Sequence, residues 1–284
     1  MISRFRQSAW LGLIALFVFV PLSVPQAADK SVQADPWPAL RDALLGEGPI
    51  LQDRLVFVVA PKIGEDAAAV PVKLNFSPEL GQVEEILVIA ENNPFPLIAR
   101  IEPNIRFISF SLRIRMEKTG PIRAAVRTED GIWHVAQRVV KVTGGGCSVA
   151  GAAGSQRGRR HGQVNATAFV RMEGSKLRFQ LVHPMSTGLA KDKAGNQIPP
   201  DYIREIDVRA GEHRLFRMDI SPISTNPTFT VKMDVDPAIL TDLVVSAVDT
   251  NGERYASEWV MMSMEPGLEL LLQERNQANL SSVN

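Results

Sequence analysis

The stretch RFISFSLRIRM (Arg106–Met116) sets the fold. Ile108, Phe110, Leu112, Ile114 and Met116 alternate with polar residues, and an apolar period of two marks a strand with one buried face. Similar short runs lie on both sides: RLVFVVAP, AVPVKLNF, EEILVIAEN, PIRAAVRTEDG and IWHVAQRVVKV. Asp130-Gly131 stands between the last two, a pair whose backbone freedom suits a tight hairpin turn. Further along, VNATAFVRM, KLRFQLVH, IREIDVRA, HRLFRMDI, TFTVKMDV, LVVSAVDT and YASEWVMM repeat the pattern, with Asn251-Gly252 as a second hairpin signal. Two sets of short, turn-bounded strands predict an all-β chain of two β-sandwich domains in tandem, over residues 35–143 and 163–265. A short helix precedes them in ADPWPALRDALLGEGP, with Asp35 as its N-cap, Pro36 at the first helical position and Gly46 as its stop. Residues 266–284 read as a tail that starts helical and frays.

The first 28 residues have the order of a secretory signal peptide. Arg4 and Arg6 form a basic start, Leu11 to Val20 an apolar run, and Ala27-Ala28 a small-residue cleavage site. The apolar run is shorter than the roughly 20 residues a spanning helix needs. The expectation is an exported, periplasmic protein with no membrane contact after cleavage; an uncleaved anchor is the alternative. Lys+Arg and Asp+Glu number 31 each, so the chain lacks the clustered basic excess of a nucleic-acid binder.

The chain has a single cysteine, Cys147, in VVKVTGGGCSVAGAAGSQRGRRHG (Val139–Gly162). A lone thiol in an oxidising compartment stays free, pairs with another molecule or carries a group covalently. Gly144, Gly145, Gly146, Ser148 and Gly151 read as a flexible arm within a linker over 144–162. Treated as a Gly-rich coil, the residues between Val142 and Cys147 reach roughly 12 Å. Such an arm displays its thiol to a partner. Arg157, Arg159, Arg160 and His161 follow and would raise the thiolate fraction if they approached it. A plain linker with an incidental cysteine is the competing reading, but an exposed thiol is an oxidation liability, which favours a functional arm.

Other chemistries fit the sequence poorly. A cysteine hydrolase needs a base held in hydrogen-bond reach of the thiol, and of His134, His161, His183 and His213 only His161 is near, on the same linker. His183, beside Pro184, reads as support for a turn or interdomain contact. No motif calls for a metal or another cofactor, and KDKAGNQIPPD reads as a turn with a Pro-Pro stop. GGGCSVAGAAG lacks the Gly-Lys-Ser/Thr end of a phosphate-binding loop. Asn165-Ala166-Thr167 is a formal glycosylation sequon with little weight, and Trp37, Trp133 and Trp259 read as core or interface anchors.

VTGGGCS at the end of a β-domain resembles the carrier arm of SoxY in the SoxYZ sulfur-oxidation carrier. LVHPMSTGLAKDKAGNQIPPDYI (Leu181–Ile203) and FRMDISPISTNPTFTVKMDV (Phe216–Val235) resemble SoxZ. The similarity is carried by His183-Pro184-Met185, Thr187-Gly188, Gly195-Asn196 and Asn226-Pro227. WPALRDALLGEGPI and EDAAAVPV look like the SoxY domain of a fused form found with quinoprotein dehydrogenases. The arm departs from the family's Gly-Gly-Cys-Gly-Gly, since Ser148 and Val149 follow the cysteine, and it is tethered at both ends. A double tether restricts its reach.

The resemblance implies Ig-like sandwiches that pair within one chain, at high effective concentration. It implies a carrier and not an enzyme, holding sulfur intermediates of thiosulfate oxidation on Cys147 as a persulfide or S-thiosulfonate. Its partners would be sulfur-containing anions and periplasmic redox enzymes. An accessory of a periplasmic quinoprotein (PQQ) dehydrogenase, in assembly or electron transfer without sulfur carriage, is the alternative. A structural interaction protein is a third.

Overall fold

A computed structural model of the chain describes residues 35–148, 163–170, 175–240, 242–257 and 260–264. The N-terminal segment expected to be a signal peptide, Val149 to Gly162 with Gly151 and His161, Trp259 and the tail lie outside the described residues. Helix α1 (Trp37–Leu45) begins later than expected: Pro36 occupies the N-cap position, so Asp35 does not cap it, while Gly46 ends it with φ of 67°. Among the described residues no helix is long and apolar enough to cross a membrane.

The first half supplies β1 (Ile50–Leu51), β2 (Val56–Val59), β3 (Val70–Phe76), β4 (Val83–Ala90), β5 (Leu97–Pro103), β6 (Arg106–Ile114), β7 (Gly120–Thr128) and β8 (Trp133–Val140). The second supplies β9 (Val164–Val170), β10 (Ser175–Leu181), β11 (Ile203–Ala210), β12 (His213–Ile220), β13 (Thr228–Asp234), β14 (Leu243–Asp249), β15 (Arg254–Ala256) and β16 (Val260–Met264). Both hairpin expectations hold. Gly131 at φ 80° turns β7 into β8, and Gly252 at φ 85° turns β14 into β15.

The two sandwiches meet edge to edge. One sheet runs β1-β8-β7-β4-β5-β12-β11-β14-β15 and the other β16-β9-β10-β13-β6-β3-β2. The seams are antiparallel: β5 pairs β12 with Ile101 opposite Met218, and β6 pairs β13 with Phe110 opposite Val231. An unpaired strand edge exposes a row of backbone donors and acceptors, and here each half satisfies the other's.

The alternation that predicted β6 also explains the interior. Phe110, Leu112 and Ile114 are buried, with Met116 just beyond the strand, while Ile108 is only partly covered. Across the seam these residues join a continuous hydrophobic core that includes Val72, Ile86, Val126, Leu177, Val208 and Val245. Five phenylalanines hold its centre. Phe107 meets Phe216 edge-on at 5.3 Å, Phe110 approaches Phe229 at 6.0 Å, and Phe229 stacks on Phe179 at 5.0 Å. A smaller core lies on the outer face of the nine-stranded sheet, where Leu45 of α1 and Trp37 pack on Leu87, Ile89 and Trp133. The Trp133 indole N–H donates to Leu45 O at 3.0 Å, and the Arg123 guanidinium lies 4.1 Å over the Trp37 ring.

Because the halves share one core, damage at the seam reaches both. Phe229→Ala is expected to cost about 3–5 kcal/mol. Denaturant unfolding of the variant should remain a single transition with a lowered midpoint, the same by near-UV and far-UV circular dichroism.

Candidate functional site at the seam

β6 ends at Ile114, and the connection Arg115–Thr119 leads into β7. This short segment is a dock for the cysteine arm. The Thr119 hydroxyl and Val142 bond reciprocally, Thr119 Oγ1 to Val142 O and Val142 N to Thr119 Oγ1, both at 3.0 Å. Gly145 N donates to Glu117 O at 3.1 Å and Gly146 N to Met116 O at 3.2 Å. The Glu117 carboxylate accepts from Cys147 N at 2.9 Å, Ser148 N at 3.2 Å and Ser148 Oγ at 2.7 Å. From the second half, Thr187 Oγ1 donates to Cys147 O at 3.0 Å. The Asn93 amide braces the dock, donating to Arg115 O at 2.7 Å and accepting from Glu117 N at 2.8 Å.

These contacts correct the expectation of a flexible arm over Gly144, Gly145, Gly146 and Ser148 with a displayed thiol. The glycines serve fit. Gly144 and Gly145 adopt φ of 96° and 81°, a region that side chains disfavour. A Cβ on Gly146 would stand 2.2 Å from Ala67 O and 2.6 Å from Met116 O, so only glycine passes. Cys147 is 3% exposed. Burial, reinforced by the Glu117 charge and opposed by Arg115, pushes the thiol up to about 11. The cations anticipated at Arg157, Arg159 and Arg160 lie outside the described residues; the cation coupled to the thiol is Arg115.

Arg115 was not anticipated. Read as strand alternation, it belongs with Arg113 on the solvent face, but β6 stops first and Arg115 N pairs with Ile223 O at 2.8 Å. Its side chain turns into the seam. The guanidinium donates to Met185 O, to Pro222 O at 3.3 Å and to Thr225 Oγ1 at 3.0 Å, all in the second half. Burial lowers its pKa, and Cys147 acts in the opposite sense.

Most points of SoxZ resemblance gather on the same place. His183 Nδ1 accepts from Met185 N at 3.1 Å, and Met185, at φ 52°, presents its carbonyl to Arg115. Asn226 Oδ1 accepts from His183 N at 3.0 Å, and Asn226 N donates to His183 O at 2.9 Å. His183 thus supports a turn at the interdomain contact. Gly195-Asn196 forms a separate turn closed by Asp192, as expected.

Among the described residues His183, Asp201 and Asp249 form a group with metal-ligand spacing. Since Nδ1 accepts an amide proton, the neutral ring carries its own proton on Nε2, facing Asp201 Oδ1 at 3.5 Å and Asp249 Oδ2 at 3.7 Å. A ring that presents N–H offers no lone pair to a metal. Burial opposes the Asp249 charge, but bonds from the Tyr255 hydroxyl and from Glu253 N and Asn251 N lower its pKa on balance. The group is a buried polar support behind the Met185 turn. Of the other histidines, His134 is buried against Asp53 at 2.6 Å and His213 is exposed on β12.

Glu117→Ala removes the acceptor of three bonds and the charge that raises the thiol. It is expected to speed alkylation of Cys147 by iodoacetamide in the folded protein by about tenfold or more. The pH dependence has a definite sign. A thiol raised in the docked state stabilises docking fully below the free-thiol value of about 8.5, and that contribution is lost as pH climbs toward about 11. Alkylation of the native protein should therefore rise more steeply across this window than that of the unfolded chain.

Comparison with protein families places the model described as sulfur oxidation protein SoxY on residues 41–147 and that described as sulphur oxidation protein SoxZ on residues 168–260. Together they account for more than half of the chain. Among solved structures, the sulfur carrier protein SoxY from Chlorobium limicola f thiosulfatophilum is 30% identical, covering 39% of this chain and 98% of its own, with a TM-score of 0.34. A comparison with curated proteins found no match. With a SoxY domain and a SoxZ domain paired in one polypeptide, the chain belongs to the SoxYZ family of sulfur-oxidation carriers.

Proposed function

We propose that this chain is an exported carrier that holds sulfur intermediates covalently on Cys147 and presents them to redox enzymes of the periplasm. The place of the thiol supports this reading most directly. Cys147 is the last residue of the SoxY match, and its peptide is gripped by Glu117 from one half and Thr187 from the other. An incidental cysteine in a plain linker requires neither grip.

The docked state is a resting state. With a pKa of about 11, only about one thiol in ten thousand is ionised at pH 7, and the thiolate is the nucleophile. Loading therefore requires the arm to leave, breaking the bonds to Met116, Glu117 and Thr187. A released segment from Val142 onward reaches roughly 12 Å. Joining thiosulfate to the thiol forms one S–S bond, releases one proton and delivers two electrons to an electron-accepting partner enzyme. When the arm returns, the seam shields the sulfur from stray thiols.

Intact-mass measurement on protein from cells grown on thiosulfate should find a reductant-sensitive addition on Cys147, one sulfur atom or one thiosulfonate group. Cys147→Ser should abolish it, together with thiosulfate-dependent electron transfer. An unmodified thiol under those conditions would exclude carriage and favour the accessory role beside a quinoprotein dehydrogenase.

A further inference from the structure

Arg115 is 3% exposed, and among the described residues it enters no ion pair with a carboxylate. Its acceptors are two carbonyls and a hydroxyl. Neutral acceptors fix the geometry of a guanidinium but leave its charge uncompensated, which is unfavourable in a buried site. The titratable group to which it couples is Cys147. The arm and the guanidinium share both walls: Gly146 N bonds to Met116 O beside Arg115, and Thr187, which holds Cys147 O, lies two residues from the Met185 carbonyl.

At the sulfur itself burial and then the Glu117 charge outweigh Arg115, so a bare thiolate is not favoured. Glu117, however, is bound at the main-chain amides of Cys147 and Ser148. A group carried on the sulfur puts its charge one or more atoms farther along the side chain, away from those amides. Firmer docking of an anionic adduct requires the repulsion from Glu117 to weaken there.

We propose that Arg115 reads the charge of whatever Cys147 carries, holding the arm docked more firmly when the sulfur bears an anionic group than when it is a neutral thiol or neutral disulfide. The inference rests on the carrier reading and adds a discriminating residue to it. A loaded arm would then be better protected in transit than an empty one.

Two reagents make the comparison with a single type of bond. The Cys147 thiolate attacks an inner sulfur of tetrathionate, forms one S–S bond and expels thiosulfate, leaving an S-thiosulfonate anion. With methyl methanethiosulfonate it forms the same bond, expels methanesulfinate and ends as a neutral methyl disulfide. In the wild-type chain the anionic adduct is expected to melt at a higher temperature than the neutral one. Release of the anionic group by a phosphine should be about tenfold or more faster in Arg115→Gln, with less than about a twofold change for the neutral adduct, and Arg115→Lys should restore part of the protection. A residue with only a structural role would move both adducts equally, and that result overturns the proposal. So does a wild-type chain whose two adducts melt together, a comparison that holds even if Arg115→Gln fails to fold. Failure here leaves carriage standing if the native protein bears sulfur on Cys147; a native protein without it removes carriage whatever the adducts do.

Discussion

The structure depends on the seam where β5 pairs with β12 and β6 with β13. Backbone hydrogen bonds there close strand edges that each half alone would expose. The aromatic cluster of Phe107, Phe110, Phe179, Phe216 and Phe229 adds dispersion and offset or edge-on ring contacts. Carrying both partners on one polypeptide keeps them at high effective concentration, so the pairing does not depend on protein abundance. The contacts that close the site presuppose this junction, because Arg115 is rooted in the first half and held by carbonyls of the second, and Thr187 of the second half holds the Cys147 carbonyl.

The seam also gives the glycines their purpose. Mobility and close fit make similar demands on composition, and both select residues without a Cβ. Gly146 passes between two carbonyl oxygens where alanine would collide, and Ser148, which stands where the family pattern has glycine, adds a hydroxyl bond to Glu117. A lone cysteine open to solvent is exposed to over-oxidation and cross-linking. Burial with a raised pKa limits both, and under the proposed carriage it requires a step in which the arm leaves.

Charge is distributed unevenly around that step. Glu117 holds the main chain of the arm and disfavours ionisation of the sulfur; Arg115 stands as a buried cation satisfied by neutral oxygens. The polar group of His183, Asp249 and Tyr255 lies behind the Met185 turn and fixes the carbonyl that Arg115 uses. The second half thus supplies position, and the first half supplies the sulfur.

The all-β class and both hairpins were legible in the sequence, because a side-chain period of two and the turn preferences of Asp-Gly and Asn-Gly are local properties. So were the two halves, through VTGGGCS and the His183-Pro184-Met185 and Asn226-Pro227 points, and so was the identity of the single thiol. The start of α1 was misplaced at Asp35, since Pro36 takes the cap position. The state of Cys147 was not legible. Its burial follows from Glu117, thirty residues earlier, and Thr187, forty residues later, and no local pattern encodes that meeting. Arg115 was hidden for a related reason: its place in the alternation points to solvent, and only the docking of Ile223 and Met185 turns it inward. Short-range chemistry determined which elements form, whereas exposure and charge at the sulfur were decided by which elements pack together.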